Sequence, residues 1–197
     1  VLGNDAKLPF GKSVALLVGV SQYKHIEPNL PSVKNDLVDM RNFLLGDGGF
    51  DEVYVASEGI VNRDLIDDYM RNKLPKRLAK DDRLLFYYSG HGADKPGKSI
   101  TGYMLFSQAE PEIFTGPQVL AIRVVQEWSS EIDVSHLLFI FDCCVSGLAF
   151  TPRDARSPSV GQVLTTLSKN GSRIVITAGT GDEKTFEAEQ RGRGNGV

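Results

Sequence analysis

Arg83-Leu84-Leu85-Phe86-Tyr87-Tyr88-Ser89-Gly90-His91-Gly92 runs from an unbroken apolar stretch straight into a small polar tail. Five apolar or aromatic residues follow Arg83 with no polar alternation, so a strand over 83–88 is expected to be covered on both faces. Such strands belong to parallel sheets sandwiched between helices. The abrupt change at Ser89 marks the carboxyl end of that strand. In open α/β sheets this is the end where ligands bind.

Similar runs lie on either side. Stretches 13–20 (SVALLVGV), 52–56, 136–142 (HLLFIFD) and 173–177 (RIVIT) read as strands, and 102–106 as a short strand or hairpin arm. Helices are expected over 32–45, 62–78, 119–132 and 159–168. Val33, Leu37, Met40 and Leu44 recur at helical spacing before Gly46, and Asn62 can cap a helix that Pro75 interrupts or ends. Segments 92–101, 107–118 and 148–158 are rich in Gly, Pro and Ser and read as surface loops. The alternation predicts an α/β fold, a mostly parallel sheet flanked by helices on both faces.

The 197 residues, 41% hydrophobic and 24% charged, suit one globular domain over 1–197, without a linker or internal repeat. A net charge of −3 and the lack of a basic stripe argue against nucleic acid. No apolar run nears the roughly 20 residues that span a bilayer, and no signal peptide opens the chain. The chain opens on Val1 rather than Met, as expected of a fragment or a processed product. Cys143 and Cys144 are the two cysteines and are adjacent, which suits neither a disulfide framework nor a zinc site. A reducing, cytoplasmic setting is the simpler expectation.

Three polar clusters fall at strand ends: Ser21-Gln22-Tyr23, Ser89-Gly90-His91-Gly92 and Asp142-Cys143-Cys144. A thiolate is a strong nucleophile, and a histidine within reach can take the thiol proton and return it to a leaving amine. Glycines at 90, 92 and 147 let backbone approach a substrate, and amide N–H groups there can hold an oxyanion. The plainer reading has His91 capping a loop and Cys144 packing as a small hydrophobe. Cys143, alternating with Cys144, is expected in the core. His25 and His136 are expected at the surface or a strand edge, Trp128 in packing, and Gly46-Asp47-Gly48-Gly49 in a turn.

Tyr87-Tyr88-Ser89-Gly90-His91-Gly92 and Asp142-Cys143-Cys144-Val145-Ser146-Gly147 resemble the histidine and cysteine motifs of caspase-like peptidases, most of all the metacaspase, orthocaspase and bacterial branch. His91 precedes Cys144 by about fifty residues, as in that family. The resemblance implies Cys144 as nucleophile, His91 as general base and acid, and the N–H groups of Gly92 and Cys144 as oxyanion hole. It implies a polypeptide substrate and no cofactor. The small-subunit end looks truncated, so the C-terminal small-subunit segment of the same protein becomes a second expected partner. The rival is a catalytically silent caspase-like scaffold.

Asp36 and Asp142 match the acidic residues with which metacaspases hold arginine or lysine, and Ser89 matches a polar member of that pocket. A cationic side chain leaving water needs such fixed carboxylates. Two carboxylates in one pocket should also repel, raising the pKa of one of them. Asp36 has a plain alternative as a helix N-terminal acid. Calcium-dependent relatives use clustered aspartates, but 101–125 holds only Glu110 and Glu112, and 148–158 only Asp154, so no metal site is expected. Arg153, Arg156, Arg191 and Arg193 are candidate self-cleavage points.

Overall fold

Seven consecutive residues of β1 (Ser13–Gly19) are buried, as a strand covered on both faces requires. The computed structural model describes residues 10–95, 101–143, 172–177, 187–190 and 193–196, the last two segments as backbone. After β1 come α1 (Val33–Leu45), β2 (Glu52–Ser57), α2 (Arg63–Asp68) and β3 (Arg83–Ser89). Three short strands follow, β4 (Gly92–Lys95), β5 (Thr101–Leu105) and β6 (Val119–Ala121). Then come α3 (Val124–Glu131), β7 (His136–Asp142) and β8 (Ser172–Thr177). The main sheet has the order β2-β1-β3-β7-β8, and every neighbouring pair is parallel. This is the expected α/β architecture.

Alternation along the strands divides the core in two. Ala15, Leu17, Leu85 and Tyr87 meet Val33, Leu37 and Leu44 of α1 on one face. Leu16, Val18, Phe86, Tyr88, Phe139 and Phe141 meet Ile66, Met70 and Trp128 on the other. Full burial of one such large apolar side chain stabilises by roughly 1.5–3 kcal/mol. Trp128 and Phe86 are packing residues, as expected. Trp128 is fully buried, lies 5.5 Å from Phe86 between ring centroids, and donates its Nε1–H to Asp67 at 3.0 Å. Cys143 is also core, buried on the side of Phe139 and Phe141.

Four local expectations need correction. Helix 62–78 is capped by the Asn62 side chain, but it becomes a π-turn at Tyr69–Lys73 and a 3-10 turn at Pro75–Arg77. Gly92–Lys95 is a strand rather than part of a surface loop, since pairing with β5 overrides its weak propensity. Val119–Ala121 pairs with the other edge of β5, so the helix begins only at Val124. Residue 136 opens an interior strand, where His136 is half-buried edge-on to Phe10 at 4.8 Å. Beyond these, β9 (Glu187–Gln190) and β10 (Arg193–Gly196) form an antiparallel hairpin that sequence reading did not anticipate. Helix 159–168, loop 148–158 and Arg191 lie outside the described residues. No helix among the described residues is long and apolar enough to cross a membrane.

Candidate active site

The carboxyl ends of β1, β3 and β7 lie side by side. Ser89 pairs with Gly19 on one side and Asp142 on the other. The Val20 N–H donates to the Ser89 carbonyl at 3.0 Å, and the Gly90 N–H to the Asp142 carbonyl at 3.3 Å. The three polar clusters found in the sequence therefore converge. Gly19 lets α1 approach, because a Cβ there would sit 2.4 Å from Leu37 Cδ1. That approach brings Asp36, in the first turn of α1, toward the strand ends.

His91 is held from three directions. Its backbone N–H donates to the Tyr23 hydroxyl at 2.7 Å. Its carbonyl lies 2.8 Å from the Tyr88 hydroxyl, which also lies 2.7 Å from the Leu105 carbonyl. The imidazole packs on the Tyr23 ring, with centroids 4.6 Å apart. Its Nε2 lies 2.7 Å from the Pro28 carbonyl oxygen. A carbonyl only accepts, so in this contact Nε2 carries the proton and Nδ1 of the neutral ring becomes the acceptor. Gly90 is required here for space: a Cβ would lie 2.6 Å and 2.7 Å from the Tyr23 and Tyr88 hydroxyl oxygens. Burial pushes both phenols well above their usual range, so both stay neutral donors.

The loop bearing Tyr23 is tied to the end of β2. Ser21 Oγ donates to Glu58 Oε1 at 2.5 Å, and the Gln22 N–H to Glu58 Oε2 at 3.3 Å. Glu58 does this from a left-handed backbone, φ 57°, a conformation costly for a residue with a side chain. Gly92 pairs with Met104 in β4 and β5. Leu105 N–H donates to the His91 carbonyl, so the Gly92–Met104 pair is a non-hydrogen-bonded one. The Gly92 N–H is accordingly turned away from β5.

Asp36, Ser89 and Asp142 gather around a residue that sequence reading treated only as core, Tyr87. Its hydroxyl lies 3.2 Å from Asp142 Oδ2, and the buried Ser89 side chain bonds to it as well. Burial, the Asp142 charge and the Asp36 charge together push the Tyr87 phenol up. Asp142 is half-buried, and burial raises its carboxyl above the usual range while the Tyr87 bond opposes the shift. The raised carboxyl was expected, but the cause is desolvation rather than repulsion by Asp36. Among the described residues, the Tyr87 hydroxyl is the one hydrogen-bond partner of that carboxyl.

Cys144 lies outside the described residues, two positions beyond the end of β7. Among the described residues, no three His, Cys, Asp or Glu side chains are grouped to hold a metal ion. Sequence reading missed Pro28 and Glu58, quoted Tyr87 and Tyr88 in the histidine motif without a role beyond packing, and noted Tyr23 only as part of a polar cluster.

Comparison with known proteins extends this picture. Protein GSU0716 from Geobacter sulfurreducens superposes with a TM-score of 0.63 at 20% identity, over 95% of this chain and 78% of that one. Raptor of Chaetomium thermophilum gives a TM-score of 0.47 at 16% identity, over 88% of this chain and 16% of its own, a likeness too slight to inform the fold. Comparison with curated protein sequences returned no match. The family model of the caspase domain, peptidase C14, matches residues 12–192. With nearly the whole chain covered by that match and a parallel sheet bearing His91 and Asp142 on adjacent strand ends, the chain belongs to the caspase-domain family of cysteine peptidases.

Proposed function

We propose that the chain is a cysteine endopeptidase cleaving after Arg or Lys, with Cys144 as nucleophile and His91 as general base and acid. The observation that carries this reading is the pairing of β3 with β7, which sets Ser89, two residues before the oriented His91, opposite the half-buried Asp142, two residues before Cys144. With Nε2 committed to the Pro28 carbonyl, Nδ1 is the atom that accepts the Cys144 thiol proton. The thiolate then attacks the carbonyl carbon before the scissile bond. The outward Gly92 N–H, with that of Cys144, receives the oxyanion. His91 returns its proton to the leaving amine as the C–N bond breaks. A water then hydrolyses the thioester, with His91 again as base.

Asp142 and Asp36, with Ser89 and Tyr87, receive the basic side chain. A guanidinium or ammonium reaching Asp142 supplies a counter-charge that none of the described residues gives its carboxyl. The family also holds the alternative of a silent scaffold, so the test must read chemistry. An arginyl electrophilic peptide, followed by mass mapping, is expected to modify Cys144. Labelling should vanish in Cys144→Ala, persist in Cys143→Ala, and fail with an aspartyl probe. Absence of any label would point to the scaffold, and a label on Cys143 would reassign the nucleophile.

A further inference from the structure

A cavity of ≈ 700 Å³ opens beside His91, and none of Asp36, Tyr87, Ser89 or Asp142 reaches its wall. Its depth is apolar. Leu105 is buried there and is tied to the active site by its own N–H, which donates to the His91 carbonyl at 3.0 Å. Ile26 approaches from the loop after β1, and Phe114 from the segment before β6. The Phe114 ring is braced against Tyr103, 5.0 Å between centroids. The rim is charged: Asp94, Glu110 and Glu112 stand against Lys95. Glu112 holds its place through a left-handed backbone, φ 62°. Such strain persists only where the surrounding structure imposes it, and it clusters at binding sites.

The proton inventory of the reaction gives this cavity a task. His91 delivers its proton to the leaving amine, so the chain after the scissile bond departs along the imidazole side. The basic side chain before that bond lies with Asp142 and Tyr87. A cavity that shares the imidazole as a wall, and none of the carboxylate group, faces the leaving residue. We propose that it receives the side chain immediately after the scissile bond, admitting a bulky apolar residue and rejecting an acidic one. This rests on His91 acting as general acid, as read above. The volume falls within the range of small-ligand pockets and accommodates an aromatic ring on Leu105 and Phe114. Among the described residues an incoming carboxylate meets Asp94, Glu110 and Glu112 against the single ammonium of Lys95, and like-charge contact is an effective means of exclusion.

The test uses internally quenched peptides with Arg before the bond and Phe, Gly or Asp after it. Wild type should rank them Phe, Gly, Asp, with kcat/KM for Phe exceeding that for Asp by about 10-fold or more. Phe114→Ala should compress the Phe-to-Gly ratio, and the double variant Glu110→Gln/Glu112→Gln the Gly-to-Asp ratio. Ratios within one preparation are insensitive to how much of a variant is folded. Equal cleavage of the three peptides, or ratios unchanged in both variants, would overturn the proposal. An arginyl aminocoumarin, which offers no leaving-side side chain, separates the two levels. Hydrolysis of it with flat ratios removes only the cavity's role, whereas no hydrolysis removes the peptidase reading and this proposal with it.

Discussion

Tyr87 and Tyr88 are consecutive in β3 and point to opposite faces of the sheet, where their hydroxyls meet different demands. Tyr88 is fully buried between two backbone carbonyls, those of His91 and Leu105. Tyr87 faces α1 and shares its hydroxyl with Ser89 and the Asp142 carboxyl, within the field of Asp36. The first environment is neutral and complete without a substrate, so it can fix an imidazole in one pose. The second holds charge that burial disfavours. In the proposed reading an incoming cation relieves it further than Tyr87 does, so this side would select rather than position.

The sharpest way to break this contrast is to remove charge from one side. Asp142→Ala should lower kcat/KM for Arg peptides by about 100-fold or more, equivalent to about 2.7 kcal/mol. Asp36→Ala should do likewise or somewhat less. Citrulline peptides, neutral but similar in shape, should lose far less in both variants. If Arg and citrulline fell together, the carboxylates would be structural and the selective side would lie elsewhere.

Damage to the other side should appear in kcat. Gly90→Ala drives a methyl group into two tyrosine hydroxyls carried on rigid rings. The backbone must shift and carry His91 with it, and a small misplacement of a catalytic group can cost on the order of tens-fold in rate. Steady-state kinetics should show kcat reduced and KM for Arg peptides little changed. A mainly KM effect would mean that the glycine serves the pocket instead.

Strand ends were legible because continuous apolar runs specify parallel strands, and the positions where they stop place His91 and Asp142. Gly92–Lys95 was not legible: Gly, Ala, Asp and Lys are poor strand formers, and only pairing with β5 extends them. Val119–Ala121 was absorbed into the helical pattern that follows, since three residues carry no distinct period. The Pro28 carbonyl is a backbone atom and leaves no mark in composition. Tyr87 and Tyr88 read as apolar bulk and Tyr23 as one member of a polar cluster, because a phenol's partner becomes visible only once the chain is folded. Alternation did place Cys143 in the core.

A smaller disturbance tests the neutral clamp. Tyr88→Phe removes the hydroxyl between two buried carbonyls without changing ring volume. Stability should fall by about 0.5–1.5 kcal/mol in denaturant titrations, the net worth of one hydrogen bond, because the Leu105 N–H still donates to the His91 carbonyl and the Tyr23 hydroxyl to the Leu105 carbonyl. kcat should fall by roughly 10-fold or less, since Tyr23 and Pro28 still hold His91. An unchanged midpoint would show that the Tyr88 hydroxyl adds nothing to the donors these carbonyls already have.

The least effect at neutral pH, and the most specific, belongs to Tyr87→Phe. The phenol hydrogen bond favours ionised Asp142 and opposes the rise that burial causes. Without it the carboxyl of the free enzyme rises further. A basic side chain binds the ionised form, so acidification through the Asp142 pKa weakens recognition of Arg. The ratio of kcat/KM for Arg over citrulline isolates this step, because effects common to both substrates cancel. In wild type that ratio should fall on an acid limb above about 3.9, the ordinary aspartate value. In Tyr87→Phe the limb should move to higher pH, with only a few-fold loss on the alkaline plateau. In Asp142→Asn the ratio should be low and flat. A limb that stays fixed, or moves to lower pH, would show that Tyr87 does not govern the charge of the pocket.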